Sequence, residues 1–238
     1  MAKHEPTRRR FLSHALAGSG AVSVSYLALT RDLYAEASGR VVETRTEGPR
    51  LNFWDDNWEN PEDCDVHLIE WLDEKRITDA AIYHFGTGGH HRVGIECAKP
   101  ERRNSVLGIT AAPREYDSYV RLVTERPEVL RYYNAVFGDI YLLNEKLLPT
   151  FDVLTLFHLC EFRGPRTDAY GGLTDLDVTN LLTSKTRPGG HILFYTRSYA
   201  FGWNRSTSAK TVIAQWEKEH LVERVGEYKS LLVYRKAV

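Results

Sequence analysis

A mostly parallel, doubly wound α/β sheet is what this sequence predicts, on three observations. Short apolar runs alternate with segments of helical spacing from about residue 60 to residue 219. One of those runs, Phe151–Leu159, is nearly continuous, as a strand buried on both faces has to be. The chain then closes on two short runs, Leu221–Val225 and Leu231–Arg235, with Gly226–Lys229 between them, which predicts an antiparallel hairpin.

The elements follow in order. Asn60-Pro61-Glu62-Asp63 announces a helix, with a capping side chain, Pro at the first helical position and acids in the first turn. Val66, Leu68, Ile69, Trp71 and Leu72 give it a buried face, and it ends near Lys75-Arg76. Ala80–Phe85 is a strand running into Gly86-Thr87-Gly88-Gly89, and a helix follows from about His90 to Ala98. Val106–Ile109 is a strand. Pro113–Thr124 is a helix with Tyr116, Tyr119, Val120 and Val123 on one face. Asn134–Phe137 is a strand ending in Gly138-Asp139. After Phe151–Leu159 come a helix over Asp175–Lys185, a turn at Pro188-Gly189-Gly190, a strand over His191–Thr196 and a helix over about Ser208–Glu219.

The first 37 residues have a different character. Thr7-Arg8-Arg9-Arg10-Phe11-Leu12 is a twin-arginine export motif. A weakly apolar, Gly/Ser-rich stretch runs from Ala15 to Leu29, and Ala35-Glu36-Ala37 is a small-x-small cleavage site. Together they read as a secretory signal, too short and Gly-rich to span a bilayer. The expected organisation is a signal peptide over 1–37, an N-terminal arm or lid over 38–63 and one domain over 64–238, located in the periplasm. Its expected partner during export is the twin-arginine translocase.

Removing five basic and three acidic residues with that signal leaves 26 basic against 29 acidic in 201 residues. With no basic stripe, nucleic acid is a poor partner, and no second apolar run approaches the ~20 residues of a membrane span. The partner expected of the mature chain is a small molecule or another protein. Cys64, Cys97 and Cys160 form no C-x-x-C pair, so they read as small buried hydrophobes.

From about Cys64 to Lys236 the sequence resembles the class I S-adenosylmethionine-dependent methyltransferases. Ala81-Ile82-Tyr83-His84-Phe85-Gly86-Thr87-Gly88-Gly89 is similar to strand 1 and its glycine loop. Val106–Thr110 and Phe137-Gly138-Asp139 match the ends of strands 2 and 3. Phe151–Leu159 resembles strand 4, and Arg187–Phe194 the entrance to strand 5. The resemblance implies a seven-stranded sheet of order 3-2-1-4-5-7-6 with strand 7 antiparallel. It also implies S-adenosyl-L-methionine as cofactor, held at the carboxyl ends of the strands. The implied site is His84, Gly86, Thr87, Gly88, Gly89, Thr110, Asp139 and His158. No catalytic residue and no metal ligand set is assigned.

Three departures bear on that site. His84 stands where the family has an acid for the methionine ammonium, Thr110 where it has the acid bonded to the ribose, and His90 replaces a third glycine. Two hydrogen bonds to charged groups are worth roughly 3–6 kcal/mol together. The periplasm is not expected to hold free S-adenosylmethionine, and a trapped molecule supports one turnover. Three readings therefore stand: an exported methyltransferase-like protein binding S-adenosylmethionine or a related nucleoside in the strand 1/strand 4 crevice; an inactive periplasmic binding or partner-interaction protein on the same fold; and a periplasmic metal-binding protein.

The last rests on the histidines: His84 and His158 on adjacent strands, with Glu161 nearby, invite zinc or copper. The plainer reading has His90 and His91 capping a helix at the surface and His84 hydrogen-bonded in the core. Phe53, Trp54 and Trp58 read as a lid or as packing on the sheet edge. Arg163, Arg166 and Asp168, then Tyr195, Arg197 and Tyr199, follow strands 4 and 5 as substrate contacts or as solvated loop.

Overall fold

A computed structural model describes residues 58–169, 171–202, 208–219 and 222–238. The signal, its cleavage site, most of the N-terminal arm, Phe53 and Trp54 lie outside the described residues. Within them, β1 (Ala81–Phe85), β2 (Ser105–Thr110), β3 (Tyr133–Phe137), β4 (Phe151–Leu156), β5 (Thr186–Tyr195), β6 (Val222–Tyr228) and β7 (Leu231–Lys236) form one sheet. Its order is β3-β2-β1-β4-β5-β7-β6, parallel from β3 to β5, with β7 antiparallel to both neighbours. β1 and β4 pair at the centre, as expected of the runs least interrupted by charge.

Alternation along the strands sorts the core into two layers. Ile82, Val153, Leu193 and Val233 face α1 (Asp63–Glu74), α2 (Arg92–Cys97) and α3 (Pro113–Glu125). Tyr83, Leu154, Ile192, Phe194 and Tyr234 face α5 (Asp175–Lys185) and α6 (Ala209–Glu219). A short α4 (Pro165–Ala169) lies between β4 and α5. Leu154, Ile192 and Leu193 are fully buried, each contributing roughly 1.5–3 kcal/mol. No described helix is long and apolar enough to cross a membrane.

Several boundaries differ from the sequence reading, each for a local reason. Glu62 is the N-cap of α1, so Pro61 lies just outside the helix. α2 begins at Arg92 because His91 is held in the left-handed region at φ 48°. β4 stops at Leu156. Residues 157–160 turn out of the sheet, closed by Cys160 at φ 72° and anchored by Asp175 Oδ1, which accepts the Cys160 N–H at 3.0 Å. Pro188-Gly189-Gly190 is a bulge inside β5: β4 advances from Phe151 to Val153 while β5 advances from Thr186 to His191. Val225-Gly226 likewise forms a bulge inside β6, where Arg224 pairs with Tyr234 and Gly226 with Val233, and the hairpin turns at Lys229-Ser230. On α3, Val120 is 44% exposed and Glu115 takes its place with Tyr119 as a buried residue.

Candidate functional site

The carboxyl ends of β1, β2 and β4 open on a cavity of about 660 Å³. Its back is the glycine loop. Gly86 (φ 88°) and Gly88 (φ 55°) take backbone conformations that side chains oppose. A Cβ at Gly86 would stand 2.6 Å from His158 Cδ2, and one at Gly88 would run into the His90 ring. The two glycines thus leave room for the two imidazoles at the cavity wall. Trp58, 54% exposed, borders the cavity, and its carbonyl accepts the Gly89 N–H at 2.8 Å.

On the β2–β3 side, Thr110 ends its strand at the cavity wall and donates through Oγ1 to Glu115 Oε2 at 2.6 Å. Burial pushes the Glu115 carboxyl up, while hydrogen bonds from Thr110 and the Trp58 backbone pull it down. Glu115 also sits in the first turn of α3, where the helix dipole favours negative charge. His91 fixes that turn: Nε2–H donates to the Glu115 carbonyl and Nδ1 accepts from the Tyr133 hydroxyl, both at 2.9 Å. Asp139 borders the cavity beyond β3, with Oδ1 accepting the Tyr141 N–H at 2.9 Å.

At the end of β1, alternation turns His84 under α1 and away from the cavity. Its Nδ1 meets Thr155 Oγ1 at 3.0 Å, and its Nε2, buried without a hydrogen bond, lies 3.6 Å from Asp65 Oδ1. The other Asp65 oxygen lies 3.4 Å from His90 Nε2, and Asp65 borders the cavity. Burial pushes Asp65 up to about 7 against the pull of His158. Burial also holds His84 and His90 neutral, pulled down to about 3 and about 4.

His158 stands over the loop, its ring edge-on to Phe85 and tilted against Phe162. Its Nδ1–H donates to Glu161 Oε2 at 3.1 Å, and Glu161 Oε1 accepts the Tyr199 N–H at 2.8 Å. Burial opposes protonation of His158, but Glu161, Glu62 and Asp65 outweigh it and raise its pKa. Asp65, Glu115, Asp139 and Glu161 thus share the cavity wall with His158 and Arg197.

Of the predicted residues, Gly86, Gly88, Thr110, Asp139 and His158 border one cavity. His84 does not; it belongs to the core beneath α1, and His91 is buried rather than a surface cap. Thr87 is buried facing Gly108 of β2, and the Gly89 N–H is committed to Trp58. Arg163 pairs with Asp168 away from the cavity. Arg197 and Tyr199 are on its rim, Arg197 paired with Asp63 at 2.6 Å, whereas Tyr195 is buried. Sequence reasoning missed Asp65 and Glu115. Asp65 shares helical spacing with Leu68, Ile69 and Leu72, and Glu115 lies four residues before Tyr119; a lone acid on a buried face was the available signal.

The fold is that of the class I S-adenosylmethionine-dependent methyltransferases. The N-methyltransferase NodS from Bradyrhizobium japonicum WM9, in complex with S-adenosyl-L-homocysteine, is 15% identical over 75% of this chain and 89% of its own, with a TM-score of 0.51. A methyltransferase from Pyrococcus furiosus is 10% identical over 86% of this chain and 100% of its own, at 0.52. The [4+2]-cyclase SpnF is 13% identical over 76% and 86%, at 0.50. No family model and no curated protein matches the sequence. At these identities the likeness concerns the fold, and the presence of a cyclase among the neighbours shows that the fold alone does not set the chemistry.

Proposed function

We propose that this protein binds S-adenosyl-L-methionine or a closely related adenosyl ligand, on acids displaced from the strand ends to neighbouring helices. One observation carries the reading. Each residue that replaces a family acid has a carboxylate beside it: Glu115 at 2.6 Å from Thr110, and Asp65 at 3.6 Å from His84. Both acids border the cavity, as does Asp139. In this reading Glu115 and Thr110 meet the ribose, Asp139 meets the adenine, and Asp65 faces the cationic methionine end. Displacement to helices keeps a carboxyl group at each place while changing the strand-end residues, which is why the motif looks degraded. Methyl transfer itself requires little beyond alignment of nucleophile and methyl group.

The test is calorimetric titration of the purified chain with S-adenosylmethionine and S-adenosylhomocysteine. Saturable binding of either, weakened by Glu115→Gln, supports the reading; absence of heat from both at millimolar ligand rejects it.

We further propose that the chain is exported through the twin-arginine route and works in the periplasm. Arg8-Arg9 and Ala35-Glu36-Ala37 support this. That route carries folded proteins, so an adenosyl ligand bound before export would travel with its site.

A further inference from the structure

We propose that Glu62, Cys64 and His158 form a binding site for a zinc-class divalent cation at the edge of the same cavity. One ligand atom from each lies within 4.8 Å of the other two. This inference does not require the adenosyl reading, although Cys64 neighbours Asp65 on α1 and His158 borders the same cavity.

The local structure explains why these donors meet. Glu62 caps α1 in extended conformation and Cys64 follows within the first turn, so the two reach the same side with Cys64 Sγ 3.9 Å from Glu62 Oε2. His158 comes from the turn after β4, over the space that Gly86 leaves open. Tetrahedral zinc with sulfur, nitrogen and oxygen donors needs separations of about 3.5 Å. Closing from separations of at most 4.8 Å asks for shifts of about an ångström.

Two further features fit a metal. The Nδ1 of His158 is engaged by Glu161, whose second oxygen is itself held by the Tyr199 N–H, leaving Nε2 as the imidazole's donor. A carboxylate behind a ligating histidine is the arrangement that fixes ring orientation in metal sites. Three protein donors also leave a fourth position, and Glu62 and His158 both border the cavity into which it would open. A thiol among the donors favours zinc or another soft-tolerant ion over magnesium and calcium, which take oxygen.

The experiment uses the full chain after chelator treatment, titrated with zinc in competition with a chromophoric chelator and, separately, with cobalt(II). The expected result is one equivalent of zinc, insensitive to excess magnesium, and a cobalt complex with thiolate-to-metal charge-transfer absorption. Cys64→Ser removes that absorption, while Cys97→Ser and Cys160→Ser retain it. Glu161→Gln weakens zinc binding by about tenfold to a hundredfold through loss of orientation. Glu62→Gln, at a part-exposed position, and His158→Gln weaken it further while thermal melting confirms that each variant is folded. A cobalt spectrum without the thiolate band, or zinc affinity unchanged in folded Glu62→Gln and His158→Gln, overturns the proposal.

Discussion

Thr110 Oγ1 donates its hydrogen bond to Glu115 Oε2 at the cavity wall, so the end of β2 presents a hydroxyl backed by a carboxylate. A polar ligand arriving there meets both groups. If the carboxylate holds the adenosyl ligand, Glu115→Gln weakens S-adenosylhomocysteine binding by roughly 1.5–3 kcal/mol, about tenfold to a hundredfold. Calorimetry on the folded variant reads this directly; undiminished affinity excludes Glu115 from the site.

The structure reverses the obvious repair at the end of β1. Placing the family acid back by His84→Asp puts a second carboxylate beside Asp65, in burial, and removes the bond to Thr155. The expected loss is roughly 3–5 kcal/mol of stability, the order found for an uncompensated buried charge. Urea unfolding measures it. A variant of unchanged midpoint with improved ligand affinity shows instead that His84 stands in for the lost acid.

Acid sensitivity follows from the buried histidines. Burial lowers the His91 pKa from 6.5 to about 4, against the hydrogen bond to Glu115, which raises it. Because the folded value is the depressed one, the unfolded chain takes up the proton first. The contribution is complete above about pH 6.5 and drains away as pH falls towards 4, to a limit of about 3 kcal/mol. His84 and His90 act in the same direction. His91→Asn, which suits the left-handed backbone, flattens part of this acid limb in stability measured from pH 7 to 4. An identical slope in variant and parent rules the mechanism out.

Gly86→Ala tests the loop. The new Cβ meets both an unfavourable φ of 88° and the His158 ring. The expected cost is roughly 1–3 kcal/mol, seen as a fall of about 2–4 °C in Tm per kcal/mol. The His158 imidazole resonances shift with it. Parental Tm and resonances mean that the ring does not lie over the loop.

Export is tested in cells. Replacing Arg8 and Arg9 by Lys strands the precursor in the cytoplasm, and the processed parent has Ser38 as its first residue. Fractionation with N-terminal sequencing reads both outcomes. Normal periplasmic yield from the double variant removes the twin-arginine reading.

The two central strands were legible because Ala80–Phe85 and Phe151–Leu159 are the apolar runs least interrupted by charge, a property local to the sequence, whereas the strand order came from the family resemblance. The bulges at Pro188-Gly189-Gly190 and Gly226 were read as turns, since Gly and Pro signal broken pairing without telling whether the strand resumes. Gly86, Gly88, Thr110, Asp139 and His158 were placed by following strand ends. His84 was misplaced because its face is set by the two-residue alternation of β1, which hides it below α1. Asp65 and Glu115 reach the cavity from helices. Their roles depend on how α1 and α3 dock, and strand-end motifs carry no record of that.

The three cysteines remain thiols, almost wholly shielded from solvent, but they are not equivalent. Cys64 and Cys97 belong to the layer beneath α1 and α2, and Cys160 to the layer beneath α5 and α6. A thiol reagent can therefore modify each one only when its own layer opens. Labelling kinetics under native conditions become a clock for two separate breathing motions, read without any engineered probe. If Cys64 reacts before Cys160, the α1 layer loosens independently of the rest. If both react at one rate that follows global unfolding, the sheet and its two coats of helices come apart as a single cooperative body.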